Sequence, residues 1–573
     1  MMKTFLFVTA LGAVLMACPS AKCDAKSCAT GCCDSAGKCQ SGDSAAACGT
    51  AGGQCMSCLG GTCNALKVCM LTTTGGGTGG GATGGGTGGG TGGGATGGGG
   101  SSGDGGVRSV TLVQHVPRLQ EDGSTVMDDS LPTGTIGLFV RNGSALMEIP
   151  GSRNGNSFVV PNVPAGSYLL HFGTTWIEAS VDTIDIGFND LGRTDTQQID
   201  AGSATLGLTV TGLPMWQDLD DIEFFSVGAN LYGLGSQGFL NGPNAGQVPT
   251  TFSFDYGALA FFDTAPRIEA AKGDTVIVSH LQNLELITTP VPGAADDGGV
   301  LDVPLNCQVA RGSAKLASVT VNGGSNTVTV PFVASPTTTI GVTWPRTQWD
   351  QRRVEVHPNA VTTFESLYYS AEPQPETASG DLISCFNDAR FDNPIGDINR
   401  SVMVGNPYPS TWAVSGSVQV TYRVTANVAD AGSWSSTGFE TVKVDVGQPL
   451  VPAVHAPTQV TIQSLSAATI VTAAAANPVQ VAWQAPTGTP VPTDYTVQLL
   501  RITKDALGNQ ARNVVTNAVV RSTSFTFPQG TLVSGAMYQV RVRARVNASP
   551  PERPFAGRYS STADAISLPF LAQ

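Results

Sequence analysis

The chain has 573 residues, more than a single hydrophobic core organises, so it divides into several folded units. Only 13% of its residues are Asp, Glu, Lys or Arg and the formal net charge is -13, a balance that sets aside nucleic acid and anionic lipid as main partners. Thr, Val, Ala, Ser and Gly dominate, which suits sheets with half-buried faces and not exposed helices laced with ion pairs.

Met1, Met2 and Lys3 lead into an apolar run from Phe5 to Met16 that closes on Leu15-Met16-Ala17-Cys18. A basic start, an apolar stretch of this length and a small residue before the break form a secretory signal, too short for a permanent span. The closing tetrapeptide resembles a bacterial lipobox. That resemblance implies a signal peptide over 1–17, diacylglycerol on the Cys18 thiol, cleavage just before it and acylation of the new amino group, so that N-terminal lipid is the contact with the membrane. Pro19 stands where lipoproteins retained at the inner membrane carry aspartate, and the implied address is the outer membrane or cell surface. An ordinary signal peptide cut near Ala17, with Cys18 unmodified, is the alternative.

Setting Cys18 aside turns an odd total of 13 cysteines into an even set. Most crowd between Cys23 and Cys69, while Cys307 and Cys385 stand alone beyond. An even, dense set behind an export signal reads as disulfides in an oxidising compartment. Residues 18–71 then form a small module in which bridges of unreadable connectivity replace a core. Cys55-Met56-Ser57-Cys58 has zinc-ligand spacing, but no histidine accompanies it. Cys307 and Cys385 are expected to pair.

Residues 72–106 are almost pure glycine and threonine, with nothing to pack, and are expected to be a disordered tether with a mean span of about 30 to 35 Å. From Val107 the hydrophobic period is two and the punctuation is Gly, Pro and Asn, the pattern of short antiparallel strands. Thr135 to Val140, Ser157 to Val160 and Tyr168 to Phe172 are clear examples. The run Phe158-Val159-Val160-Pro161-Asn162-Val163-Pro164-Ala165-Gly166-Ser167-Tyr168 resembles the strand-turn-strand signature of small prealbumin-like sandwiches. The expected boundaries are 107–200, 201–334, 335–450 and 455–573.

The last segment resembles a fibronectin type III domain. Val479 to Pro486, with Trp483, matches the second strand and its core tryptophan; Tyr495 to Leu499 matches the third; Leu532 to Tyr538 matches the approach to the tyrosine corner, followed by Val540, Val542 and Ala544 on alternate positions. Ser534 stands where the family often has proline, and the stretch from Arg501 to Thr523 is long for the family. The fold class expected for the whole chain is mainly β: tandem antiparallel β-sandwich domains after a disulfide-rich module and a disordered Gly/Thr linker.

Candidate chemistry is sparse. The one Gly-x-Ser-x-Gly match, Gly99 to Gly103, lies in the tether and not at a strand-to-helix turn. His115, His171, His280, His357 and His455 are scattered singly. Two acidic clusters, Asp218, Asp220, Asp221 and Glu223, and Asp388, Asp392 and Asp397 beside Asn387 and Asn393, offer oxygen ligands for calcium but read equally as solvated loops; neither has EF-hand spacing. No catalytic residue, metal or cofactor is assigned. The final domain is basic on an acidic chain, and if Tyr538, Val540, Val542 and Ala544 face the core, Arg541, Arg543 and Arg545 share the other face. Three guanidinium groups in a row can grip carboxylates or sulfates, or stand as a solvated sheet face.

The reading that follows is a noncatalytic, surface-anchored lipoprotein that displays and binds an envelope or matrix component, an acidic polysaccharide or a surface protein, and no nucleic acid. An extracellular hydrolase with a groove in 107–450 is the alternative, as is a purely structural spacer.

Overall fold

The computed structural model describes residues 106–573 apart from 143–144, 261–263, 288–303, 374–378, 388–395, 429–431, 506–507, 548 and 558, together with scattered residues between 28 and 71. Cys18 and the Gly/Thr segment lie outside the described residues. The chain forms two compact units, 1–102 and 103–573.

In the first unit the described elements are two- and three-residue strands paired antiparallel: Cys32–Cys33 with Cys39–Gln40, Asp43–Ser44 with Ala47–Cys48, and Gly61–Cys63 with Cys69–Leu71. Cys28 is bridged to Cys39 with 5.5 Å between Cα atoms. Ladders this short cannot stand alone, and covalent bridging supplies what a core would.

The second unit is four β-sandwiches, each with its own apolar core. In the first, Val110, Leu112, Phe158, Val160 and Ile184 of one sheet meet Ile136, Leu138, Tyr168, Leu170 and Ile177 of the other. The second is built around Leu206, Leu208, Phe252 and Phe254 against Phe224 and Val278. The third packs Ile340, Val342 and Val402 against Leu367, Tyr369, Val418 and Val420, and adds Trp349 and Val356 from the helix α1 (Arg346–Val356). The fourth sets Val479, Val481, Trp483, Phe525 and Phe527 against Val497, Leu499, Val540 and Val542. The inward residues recur every second position, as burial of one sheet face requires. In the fourth sandwich the Val533 N–H donates to the Tyr538 hydroxyl at 2.9 Å, a tyrosine corner.

The sandwiches are not beads on a string. Eight strands lie at or next to the joins between them: β1 (Thr175–Ala179), β2 (Asp221–Ser226), β3 (Pro304–Leu316), β4 (Gly380–Asn387), β5 (Gly432–Asp445), β6 (Gln510–Val520), β7 (Met537–Asn547) and β8 (Tyr559–Ile566). One sheet of each sandwich runs into the next, giving a single 19-stranded sheet. The first sandwich joins the fourth through the parallel pair β1 and β6, with Trp176 opposite Ala518. The fourth joins the third through β8 and β5, with Thr562 opposite Thr441. The third joins the second through β4 and β3, where Cys385 lies opposite Cys307. Loop contacts return the second to the first: Glu121 accepts the Gly228 N–H at 3.2 Å, and Asn230 Nδ2 donates to Asp190 at 3.0 Å. The order of contact is thus first, fourth, third, second and back to first, and edges that tandem domains usually leave open are paired.

Candidate functional site

The join of the third and fourth sandwiches concentrates charge. On β7, Tyr538, Val540, Val542 and Ala544 are 0 to 1% exposed and fill the core, so Arg541, Arg543 and Arg545 take the opposite face. That face is not free: β5 of the third sandwich covers it. Arg541 and Arg545 are only 7% and 4% exposed, which corrects the expectation of a solvated or ligand-gripping row. Period two tells which side a residue takes, not what packs against that side.

The guanidinium groups are spent on the join. Arg543 makes a fork on Asp564, Nε to Oδ1 at 2.6 Å and Nη2 to Oδ2 at 3.0 Å. Arg541 lies 3.3 Å from the same carboxylate, donates to the Thr437 carbonyl at 3.1 Å, and sits 4.6 Å over the Phe439 ring. Arg545 pairs with Asp494 at 2.5 Å and stacks on Tyr559 at 4.2 Å. Asp564, fully buried, also accepts the Phe439 N–H at 2.8 Å. Burial pushes the Arg541 guanidinium down to about 10, against the pull of Asp564. Two arginines sharing one carboxylate leave this corner net positive.

Arg543 alone of the three keeps a side open to solvent, 24% of its side chain. There it lines a cleft of about 440 Å³ together with Thr441, Phe555, Gly557, Tyr559 and Thr562. The Thr441 and Thr562 hydroxyls lie 2.8 Å apart across the join. Burial raises the Tyr559 phenol, which therefore stays protonated. A guanidinium, two hydroxyls and two aromatic rings can hold a ring-shaped or acidic group. Among the described lining residues there is no carboxylate, histidine or cysteine. Thr441 and Thr562 come from strands of different sandwiches, and no spacing in the sequence announces that they meet.

The other candidates are placed as follows. Cys307 and Cys385 form a disulfide, 4.1 Å between Cα atoms. The acidic cluster at 218–223 does not converge: Asp218 is exposed, Asp220 accepts from Gln217 N–H, Asn283 N–H and His280, Asp221 accepts from the Ile222 and Ser236 N–H groups, and Glu223 faces Tyr408 and the Asp381 N–H. In the second cluster Asp397 caps Thr347 at 2.9 Å, while Asp388, Asp392 and Asn393 lie outside the described residues. Among the described residues no three His, Cys, Asp or Glu side chains are grouped to hold a metal ion. The histidines stay apart: His115 pairs with Asp185, His171 stacks on Trp176, His280 is buried against Asp220, His357 is buried, and His455 pairs with Glu355.

No family model matches the chain, and no curated protein does. Among solved structures it is similar to the FN1-FN3 domains of chicken CNTN1, at 12% identity and a TM-score of 0.11, over 66% of this chain and 98% of that one. It is likewise similar to domains A168-A170 of titin, at 11% identity and a TM-score of 0.12, over 65% and 96%. Likeness at these scores bears on neither function nor domain arrangement. The mainly β, multi-sandwich fold is read from the strands and cores themselves.

Proposed function

We propose that this chain is a noncatalytic envelope protein, held by lipid on Cys18 at the outer membrane or cell surface, that presents its four sandwiches as one rigid body and binds an acidic envelope or matrix component. The observation that carries the reading is the fused sheet, whose joins are closed by ladder hydrogen bonds, ion pairs and a disulfide. Such joins keep the four sandwiches from separating while their surface is displayed. The cleft at Arg543 is its candidate contact, because it combines net positive charge with aromatic faces. An acidic polysaccharide fits that lining; an acidic patch on a surface protein fits its charge alone.

A catalytic groove in 107–450 has less support. The buried acids there, Glu223 and Asp381, are 0% and 4% exposed, and a glycoside cannot reach them. The spacer reading draws on the same rigidity and differs only in having no ligand. Mass spectrometry of the mature N-terminal peptide tests the anchor, with lipid expected on Cys18 and a free thiol overturning it. Incubation of a soluble 107–573 fragment with extracted envelope polymers tests binding. Retention that falls with salt and with Arg543→Gln is expected, and no retention at low salt leaves the spacer.

A further inference from the structure

The join of the second and third sandwiches encloses two carboxyl groups with no cation bonded to them among the described residues. The Asp381 N–H donates to Glu223 Oε1 at 2.9 Å, and the Tyr408 hydroxyl donates to Oε2 at 2.6 Å. Asp381 accepts the Ser370 hydroxyl at 3.1 Å and the Tyr232 hydroxyl at 3.2 Å. Gly380 makes room for this, because a Cβ there would lie 2.0 Å from the Tyr408 hydroxyl. The groups that face the pair are Asp221 on β2, Tyr232 on the strand Leu231–Leu234, Ser279 on Val276–Ile287, Tyr368 and Ser370 on Val361–Glu372, and Tyr408. None is basic, and among the described residues no Lys, Arg or His bonds to either carboxyl. His280, the nearest histidine on those strands, is turned to Asp220.

Most other buried carboxylates of this unit meet a cation, as Asp564 does with Arg541 and Arg543, Glu365 with Arg346 and Glu372 with Lys443; Asp221, beside the pair, is met by backbone N–H groups. Two ionised carboxylates in a dry site without a cation repel each other and lose their hydration, and hydroxyl donors do not restore it. We propose that Glu223 and Asp381 hold the second and third sandwiches together as a protonated pair, making this join a proton-operated lock that is tight in mild acid and loosens as the protons leave.

Burial raises both carboxyls above the ordinary range, and the proximity of Asp381 adds to the rise at Glu223. The same groups ionise near pH 4 when the chain is open. The closed state therefore binds more protons than the open state, and its stability falls as pH rises from about 4 until the closed pair has itself ionised. The Cys307–Cys385 bridge ties β3 to β4, the strand that carries Asp381, so the loosening is a local opening and not a separation of the sandwiches.

Hydrogen exchange on the disulfide-intact protein between pH 5 and 9, with rates divided by the intrinsic chemical rate, reads the opening constant directly. For peptides covering β2 and β4 it should rise by up to about tenfold per pH unit for each proton held, while the strand Val479–Gln484 in the fourth sandwich shows no such rise. Glu223→Gln and Asp381→Asn should each flatten the slope, and the double variant should flatten it further. A flat parent profile at β2 and β4 overturns the proposal, as does a double variant that keeps the parent's slope. Should the variants fail to fold, the parent profile decides alone.

Discussion

At the join of the third and fourth sandwiches, the buried carboxylates Asp564 and Asp494 face guanidinium groups. At the join of the second and third, Glu223 and Asp381 face hydroxyls and an amide, and a covalent bridge crosses the same join. Both joins extend one sheet across two cores, yet their polar groups are satisfied by different means. Ion pairing keeps charge inside the protein and makes each partner depend on the other. Protonation removes the charge and makes the join depend on the solution. The first join thus depends on its ion-pair partners, and the second on protonation.

Changing both Cys307 and Cys385 to alanine removes a crosslink with a sequence separation of 78. It should cost about 4 kcal/mol in the chain-entropy account. Urea unfolding followed at β3 and β4 checks this, and an unchanged midpoint would mean that the hydrogen-bonded ladder alone sets the join's stability. Asp564→Asn tests the ion-paired join and should cost about 3 kcal/mol, since it leaves Arg541 buried beside Arg543 with no carboxylate; a loss below about 1 kcal/mol would show that Phe439 and the Thr437 carbonyl suffice. Tyr408→Phe removes one donor from Glu223 and should cost about 1 to 2 kcal/mol. The loss should be larger at pH 8 than at pH 5, because an ionised Glu223 needs that donor more. Arg543→Gln is the mildest change, about 1 kcal/mol or less in stability because Arg541 still pairs with Asp564. Its signature is weaker retention on acidic polymers, measured at low and physiological salt.

Much of this unit was legible in the sequence because its signals are local. Alternation placed Val540, Val542 and Ala544 in the core, the Trp483 and Tyr538 signatures located the fourth sandwich, and two isolated cysteines after the tether left only each other to pair with. The joins were not legible, since a strand's free edge and outer face carry no mark of which distant strand will cover them. Arg541, Arg543 and Arg545 show the gap: the face was right, and the neighbour on it, Phe439 in β5, was invisible. Asp381 was missed for a related reason. A lone aspartate among buried apolar residues gives no hint that it will meet Glu223, 158 residues earlier. The cleft at Arg543 likewise exists only once β5 and β8 lie side by side.

The parallel pairing of β1 with β6 sets a timetable for folding. Thr516 hydrogen-bonds to Thr174 across a sequence separation of 342, so when the chain emerges from its N-terminus the first sandwich is complete in sequence but lacks its neighbour until the fourth has arrived. Closing so long a loop is slow, and in the interval an unpaired edge stands open to other chains. Trp176, which ends 6% exposed and 6.4 Å from Phe525 of the fourth sandwich, stays wetter until that moment. Its fluorescence is therefore a built-in clock for the last step of assembly.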